Sequence, residues 1–180
     1  YDPRWLDELH EEGALFEYWS RAACFLPIED YPLYRPAMLE GWGQARAWLD
    51  DHPDEASRVR DLLREQGAVR SADFARTDGK SGSWWNWKPE KWALEYLYLT
   101  GELMIARRDR NFQRVYDLRE RVHPQWDDGT IGSAEETRRA LTLKAVRALG
   151  VARPGWVHNY FGTSRKGIVD LLAELALEGA

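Results

Sequence analysis

The sequence predicts a mainly α (α+β) protein of tandem winged-helix modules, three-helix units with small β-hairpin wings. Three observations predict it. Apolar residues recur at helical spacing between Pro starts and Gly stops. Two alternating runs joined by an arginine-rich turn come after the last helix of the central unit. The same helix order then restarts after Ser133.

Residues 1–50 read as the remainder of a first module. Asp2 caps and Pro3 opens an amphipathic helix through Leu9, and Gly13 stops it. Leu15 to Trp19 is a short strand-like run rich in aromatics. Pro27, Pro32 and Pro36 punctuate the next stretch, with a helix predicted to start near Pro36.

Residues 51–125 read as a complete winged helix. Its first helix comes after Asp50-Asp51-His52-Pro53, carries Val59, Leu62 and Leu63 as an apolar stripe, and ends at Gly67. Ser71 caps a short second helix, and a loop rich in Gly, Ser and Trp covers 79–88. The third helix runs from Pro89 to Thr100, with Trp92, Tyr96 and Leu99 on one face, Ala93 and Leu97 beside them, and Gly101 closing it. Strands at Leu103–Ala106 and Phe112–Leu118 flank the turn from Arg107 to Asn111. Alternation in the second strand sets Gln113 and Val115 on one face and Phe112, Arg114 and Tyr116 on the other.

Residues 126–133 read as a linker, and 134–180 as the start of a third module. Ser133 and Glu136 form a capping box for a helix to Leu149. A short helix near Pro154–Phe161 and another from Ser164 to Glu178 complete the three, with no wing after them. The chain opens at Tyr1 without Met and stops on a helix that reads as unfinished, so an excised piece of a longer protein is expected.

Composition excludes several classes. The 180 residues are 44% apolar and 13% aromatic, which is incompatible with a disordered chain. Cys24 is the sole cysteine, so there is neither a disulfide framework nor a thiolate zinc site. It lies in an apolar run as a small hydrophobe, and a reducing, cytoplasmic location is expected. No apolar stretch is long enough for a membrane helix, and no signal peptide is seen. The four histidines are scattered without an i, i+4 pair, and neither a Gly-rich phosphate loop nor a nucleophile elbow is present.

Net charge is −5, but it is unevenly spread. Residues 1–66 carry 7 Lys and Arg against 15 Asp and Glu, a balance of −8, whereas 67–180 carry 18 against 15, a balance of +3. A nucleic-acid surface needs a local basic patch rather than a basic whole.

The hairpin supplies one candidate patch, with six arginines against three acids over 103–121. Arg107, Arg108, Arg110 and Arg114 are its candidate phosphate contacts, the alternative being an ordinary charged surface. Lys80, Lys88 and Lys91 surround the start of the third helix, whose N-terminus favours an anion. Lys91 could equally pair with Glu95 at i, i+4. Trp84, Trp85 and Trp87 either stack on unpaired bases or pack the loop. Glu17 between aromatics is a buried carboxylate with a raised pKa or a solvent-facing strand position.

Three runs resemble one protein family. Glu17-Tyr18-Trp19-Ser20-Arg21-Ala22-Ala23-Cys24-Phe25-Leu26-Pro27 is similar to the EYWxHEAxxxP signature of the YcaQ/AlkZ-type crosslink-repair DNA glycosylases, with Arg21 and Ala22 where His and Glu usually stand. Val69 to Phe74 with Trp84 to Pro89, and Arg110 to Leu118 with Arg121, Val122 and Pro124, match in the same order. Together they span most of 5–128, while 129–180 match in general character only.

The resemblance implies tandem winged helices that cradle duplex DNA and hydrolysis of the N-glycosidic bond of N7-alkylguanine, crosslinked guanine included. A cationic base is already a good leaving group, so stabilising an oxocarbenium-like sugar and positioning water suffice. The family motif for this, Gln, an apolar residue, then Asp or Gln, lies amino-terminal to the residues present. The segment is therefore expected to be a DNA-binding scaffold with no catalytic residue of its own, no metal and no small-molecule cofactor. Gln125-Trp126-Asp127 has the motif's letters but stands in the linker, where coincidence explains it. The expected partner is duplex DNA with alkylated or crosslinked guanine, without a membrane; oligomeric state is not legible. Two other readings are a non-enzymatic DNA-binding or regulatory module and a protein-interaction scaffold, the latter favoured by the acidic first third.

Overall fold

A computed structural model describes residues 2, 4–74, 88–126 and 128–179, and shows a mainly helical α+β chain with two small antiparallel sheets. Helix α1 (Arg4–Glu11) begins where the Asp2 carboxylate accepts from the Arg4 N–H at 3.0 Å. It leads into a hairpin of β1 (Leu15–Trp19) and β2 (Ala23–Pro27), with Glu17 opposite Phe25. Strand β1 falls where expected. Strand β2 was silent in the sequence because its apolar residues run on without alternation.

Helix α2 (Tyr31–Glu40) contains Pro36 rather than starting there. Pro32 takes the first turn, where a missing N–H is harmless, and the buried Tyr31, Tyr34, Arg35 and Met38 hold the helix through the interruption at Pro36. Helices α3 (Gly43–Asp51) and α4 (Pro53–Gln66) meet at His52, whose ring stacks on Trp48 with centroids 4.2 Å apart. Val59 and Leu63 bury the α4 stripe, and Gly67 at φ 82° ends it.

Strand β3 (Val69–Arg70) and a 3-10 turn at Ser71–Asp73 stand where a Ser71-capped helix was expected. Asp73 accepts from the Arg70 N–H at 2.8 Å, so Arg70 takes the cap position. Helix α5 (Pro89–Leu99) matches its expected span but buries Leu94 and Tyr98 as well as Ala93 and Leu97. Helices α3 and α4 on one side and the sheet on another leave it little exposed face.

Strands β4 (Leu103–Arg108) and β5 (Arg114–Leu118) join β3 in the order β3-β5-β4. A register shift between Ile105 and Arg107 marks a bulge. Central β5 is covered on both faces, burying Val115 and Tyr116 alike, so the two-face alternation read from its sequence does not divide inside from outside. Helices α6 (Arg119–Val122), α7 (Ala134–Leu149), α8 (Pro154–Phe161) and α9 (Ile168–Leu177) complete the chain order. The Ser133–Glu136 capping box is formed in both directions, at 2.7 and 3.1 Å. Gly167, left-handed at φ 67°, delays α9 past the expected Ser164.

One hydrophobic core runs from Phe16, Tyr18, Tyr31 and Met38 through Val59, Leu63, Leu97 and Tyr98 to Ile105, Tyr116 and Leu141. It passes without a break across position 50. A second, small cluster of Ala145, Val157 and Ile168 holds the last three helices.

His123 is enclosed in the main core, with its ring centroid 5.6 Å from that of Tyr31. Burial, with His10 and Arg119 nearby, pulls its pKa from 6.5 down to about 4. Between those values the unfolded chain binds the extra proton. The stability this residue contributes is thus full above about pH 6.5 and lost as pH falls toward about 4. The urea midpoint should drop across that window, and His123→Phe should flatten the drop; equal slopes in both proteins would contradict the assignment.

Candidate nucleic-acid interface

The hairpin of β4 and β5 is tied to the core by carboxylates. Glu17, 2% exposed on β1, receives two hydrogen bonds from Arg108, Nε at 2.8 Å and Nη2 at 2.6 Å, and a third from Arg114 Nε at 2.8 Å. Arg114 also donates from Nη1 to Glu95 at 2.9 Å, and the Tyr116 hydroxyl donates to the other Glu95 oxygen at 2.8 Å. Burial opposes the charge on Arg114, but Glu95 and Glu17 outweigh it and hold its pKa above the ordinary arginine value. Burial raises the Tyr116 hydroxyl, and the Glu95 carboxylate reinforces this. Arg108 and Arg114, both expected on the phosphate-facing surface, are thus committed to internal ion pairs.

Beyond Arg108 the chain turns on Asp109. Its carboxylate accepts from the Asn111 and Gln113 backbone N–H groups at 2.8 and 2.9 Å, and those from Gln113 first, then Asn111, keep its pKa low. Arg70 reaches the same carboxylate at 3.4 Å. At the tip Arg107 and Arg110 are exposed, and neither forms an ion pair with a described residue.

Two grooves flank the hairpin. One, of about 540 Å³, is lined by Lys88, Lys91, Arg108 and Arg114 with Glu95 and Tyr116, and so unites four of the seven candidates. There Lys88 Nζ donates to the Phe74 carbonyl at 2.6 Å and the Ser71 carbonyl at 3.3 Å, which ties the entry of α5 to the 3-10 turn. The other, of about 300 Å³, sets Arg107 and Arg110 beside Asp7 and Glu11 of α1. Lys80, Trp84, Trp85 and Trp87 lie outside the described residues.

Glu17 and Glu95 are the working residues that sequence reasoning did not assign. For Glu17 the signal was present: a carboxylate within Leu-Phe-Glu-Tyr-Trp is either exposed or, when buried, paired. A third groove, of about 670 Å³, had no sequence signal; Arg35, Arg46, Arg60, Arg64 and Arg119 line it with Asp50, Glu102 and Glu120. Its charge is largely met at home, because Arg35 pairs with Asp128 at 2.6 Å and Arg60 with Glu102 at 2.7 Å. Gln125 is exposed, Trp126 packs toward Tyr31 at 6.1 Å, and Asp127 lies outside the described residues.

Fold and surface thus define a mainly helical α+β protein whose arginine-rich hairpin is braced from within and cationic at its tip. The family model for AlkZ-like DNA glycosylases matches residues 1–180, and the chain belongs to that family. Its general class is therefore that of enzymes hydrolysing N-glycosidic bonds in DNA, and DNA is the partner the family implies. No solved structure matches the chain.

Proposed function

We propose that this chain is the winged-helix DNA-holding part of a crosslink-repair glycosylase acting on N7-alkylguanine in duplex DNA. Residues 51–125 supply the central module, with β4 and β5 as its wing, and Arg107 and Arg110 rest on backbone phosphates. Lys88 and Lys91 extend the same basic surface along the neighbouring groove. Arg108 and Arg114 act from behind, because their charges are already matched by Glu17 and Glu95. The observation that carries this reading is the division within one hairpin between arginines locked in ion pairs and exposed arginines with no ion pair to a described residue.

Base excision itself is assigned to the family's Gln-apolar-Asp/Gln motif, and no described residue is given a catalytic role. A cytoplasmic location belongs to the same proposal.

Arg107→Ala and Arg110→Ala are each expected to weaken duplex binding and to reduce the slope of log affinity against log salt by about one, as loss of a phosphate contact does. Fluorescence anisotropy at graded salt checks this, and an unchanged slope would remove the tip from the interface. The catalytic assignment is tested with a duplex carrying N7-methylguanine. Abasic sites formed by the 180-residue chain alone would place catalysis within it and overturn the scaffold reading.

A further inference from the structure

Phe112 is an unusual residue for a hairpin tip. It is 59% exposed. It also holds φ at 61°, the only positive φ of a non-glycine among the described residues. A bulky L-residue is strained there, and such strain persists only where the surroundings over-determine it.

The surroundings do so. The Phe112 N–H donates to the Asp109 carbonyl at 2.8 Å, and the Asp109 N–H donates to the Gln113 carbonyl at 2.9 Å. Arg108 Nη1 donates to the Phe112 carbonyl at 2.6 Å, and the same guanidinium lies 4.5 Å from the centre of the Phe112 ring. Since Arg108 is itself clamped on buried Glu17, an unbroken line of contacts runs from the core to the exposed ring. Exposed Arg107 and Arg110 flank it. Asp7, Glu11 and Asp109 share the groove on the α1 side, so a polyanion meets cations at the tip and acids along that flank.

We infer that Phe112 is a wedge whose ring enters the base stack of duplex DNA and opens one step, while Arg107 and Arg110 hold the adjoining phosphates. Apolar side chains inserted between base steps unstack and kink a duplex. Opening a step also lowers the cost of taking a target base out of the helix, a common step in enzymes that act on a base within a duplex. The wedge rests on the DNA-binding reading above and adds a distortion of the duplex to it.

The test uses the 180-residue chain and a short duplex with 2-aminopurine at one internal position, whose fluorescence rises on unstacking. Saturating wild-type protein should raise the signal several-fold. Phe112→Asn removes the ring while tolerating the left-handed backbone, and Phe112→Tyr keeps the ring. Phe112→Asn should lose most of the rise and about tenfold in affinity, with an unchanged salt slope, because stacking and not phosphate contact is removed. Phe112→Tyr should retain the rise. A full rise with Phe112→Asn overturns the wedge. Tight binding of wild-type protein with no rise overturns the wedge and leaves the interface standing; no duplex binding overturns both.

Discussion

Glu17→Ala should lower the unfolding free energy by about 3–5 kcal/mol, the usual cost of removing one partner from a buried ion pair. The carboxylate satisfies two guanidinium groups at once, at 2.6–2.8 Å, in a strand shielded from water. Without it, Arg108 keeps, among the described residues, the Phe112 carbonyl and ring, and Arg114 keeps Glu95 and the Tyr98 ring at 5.1 Å. Urea denaturation measures the loss. Glu17→Gln preserves shape and one acceptor, so it should cost less than alanine. In a double-mutant cycle, Glu17→Ala with Arg108→Met should cost clearly less than the two single changes together, because the uncompensated cation goes with the carboxylate. Additive losses would mean that the pair is not coupled, contrary to the geometry.

Gly101→Ala is the second large effect, at roughly 2–5 kcal/mol from left-handed backbone strain and overpacking together. Gly101 turns the chain from α5 into β4 at φ 71°. A methyl group there would lie 2.8 Å from Met38 Cβ and collide with the Arg35 guanidinium. Met38 is fully buried, and Arg35 is held by Asp128 and by the Gly101 carbonyl at 2.9 Å, so neither can yield cheaply. The thermal midpoint would report the loss. A midpoint within a degree or two of wild type would show that α2 and the turn are looser than their packing indicates.

Much of this architecture is legible in local sequence. Pro89, Gly101, the Ser133–Glu136 box and Pro154 mark boundaries through local rules, and the helices lie where those rules set them. Strand β1 and the pairing of β4 with β5 were equally plain. The main misses share a cause, because each was decided by pairing or packing with another element and not by the pattern within its own residues. Strand β2 exists because β1 pairs with it, and β3 because β5 needs a second neighbour. Pro36 continues a helix that its buried neighbours hold in place. The site divides in the same way. That arginines crowd the hairpin was visible; which of them are spent on Glu17, 91 and 97 residues earlier, was not. Periodicity records which residues face a core, and a long-range ion pair leaves no period.

The uninterrupted interior from Phe16 to Tyr116 has a consequence for how the molecule comes apart. Residues on both sides of position 50 contribute to it, and the Tyr18 hydroxyl donates to the Leu99 carbonyl while that of Tyr98 donates to the Glu17 carbonyl. Amides of β1, α5 and β4 are therefore expected to share one opening event, a single cooperative unit in hydrogen exchange. Helices α8 and α9, resting mainly on the smaller cluster, are expected to exchange sooner. Genetic recombination that swapped the first fifty residues for a foreign piece would have to replace half of a shared interior.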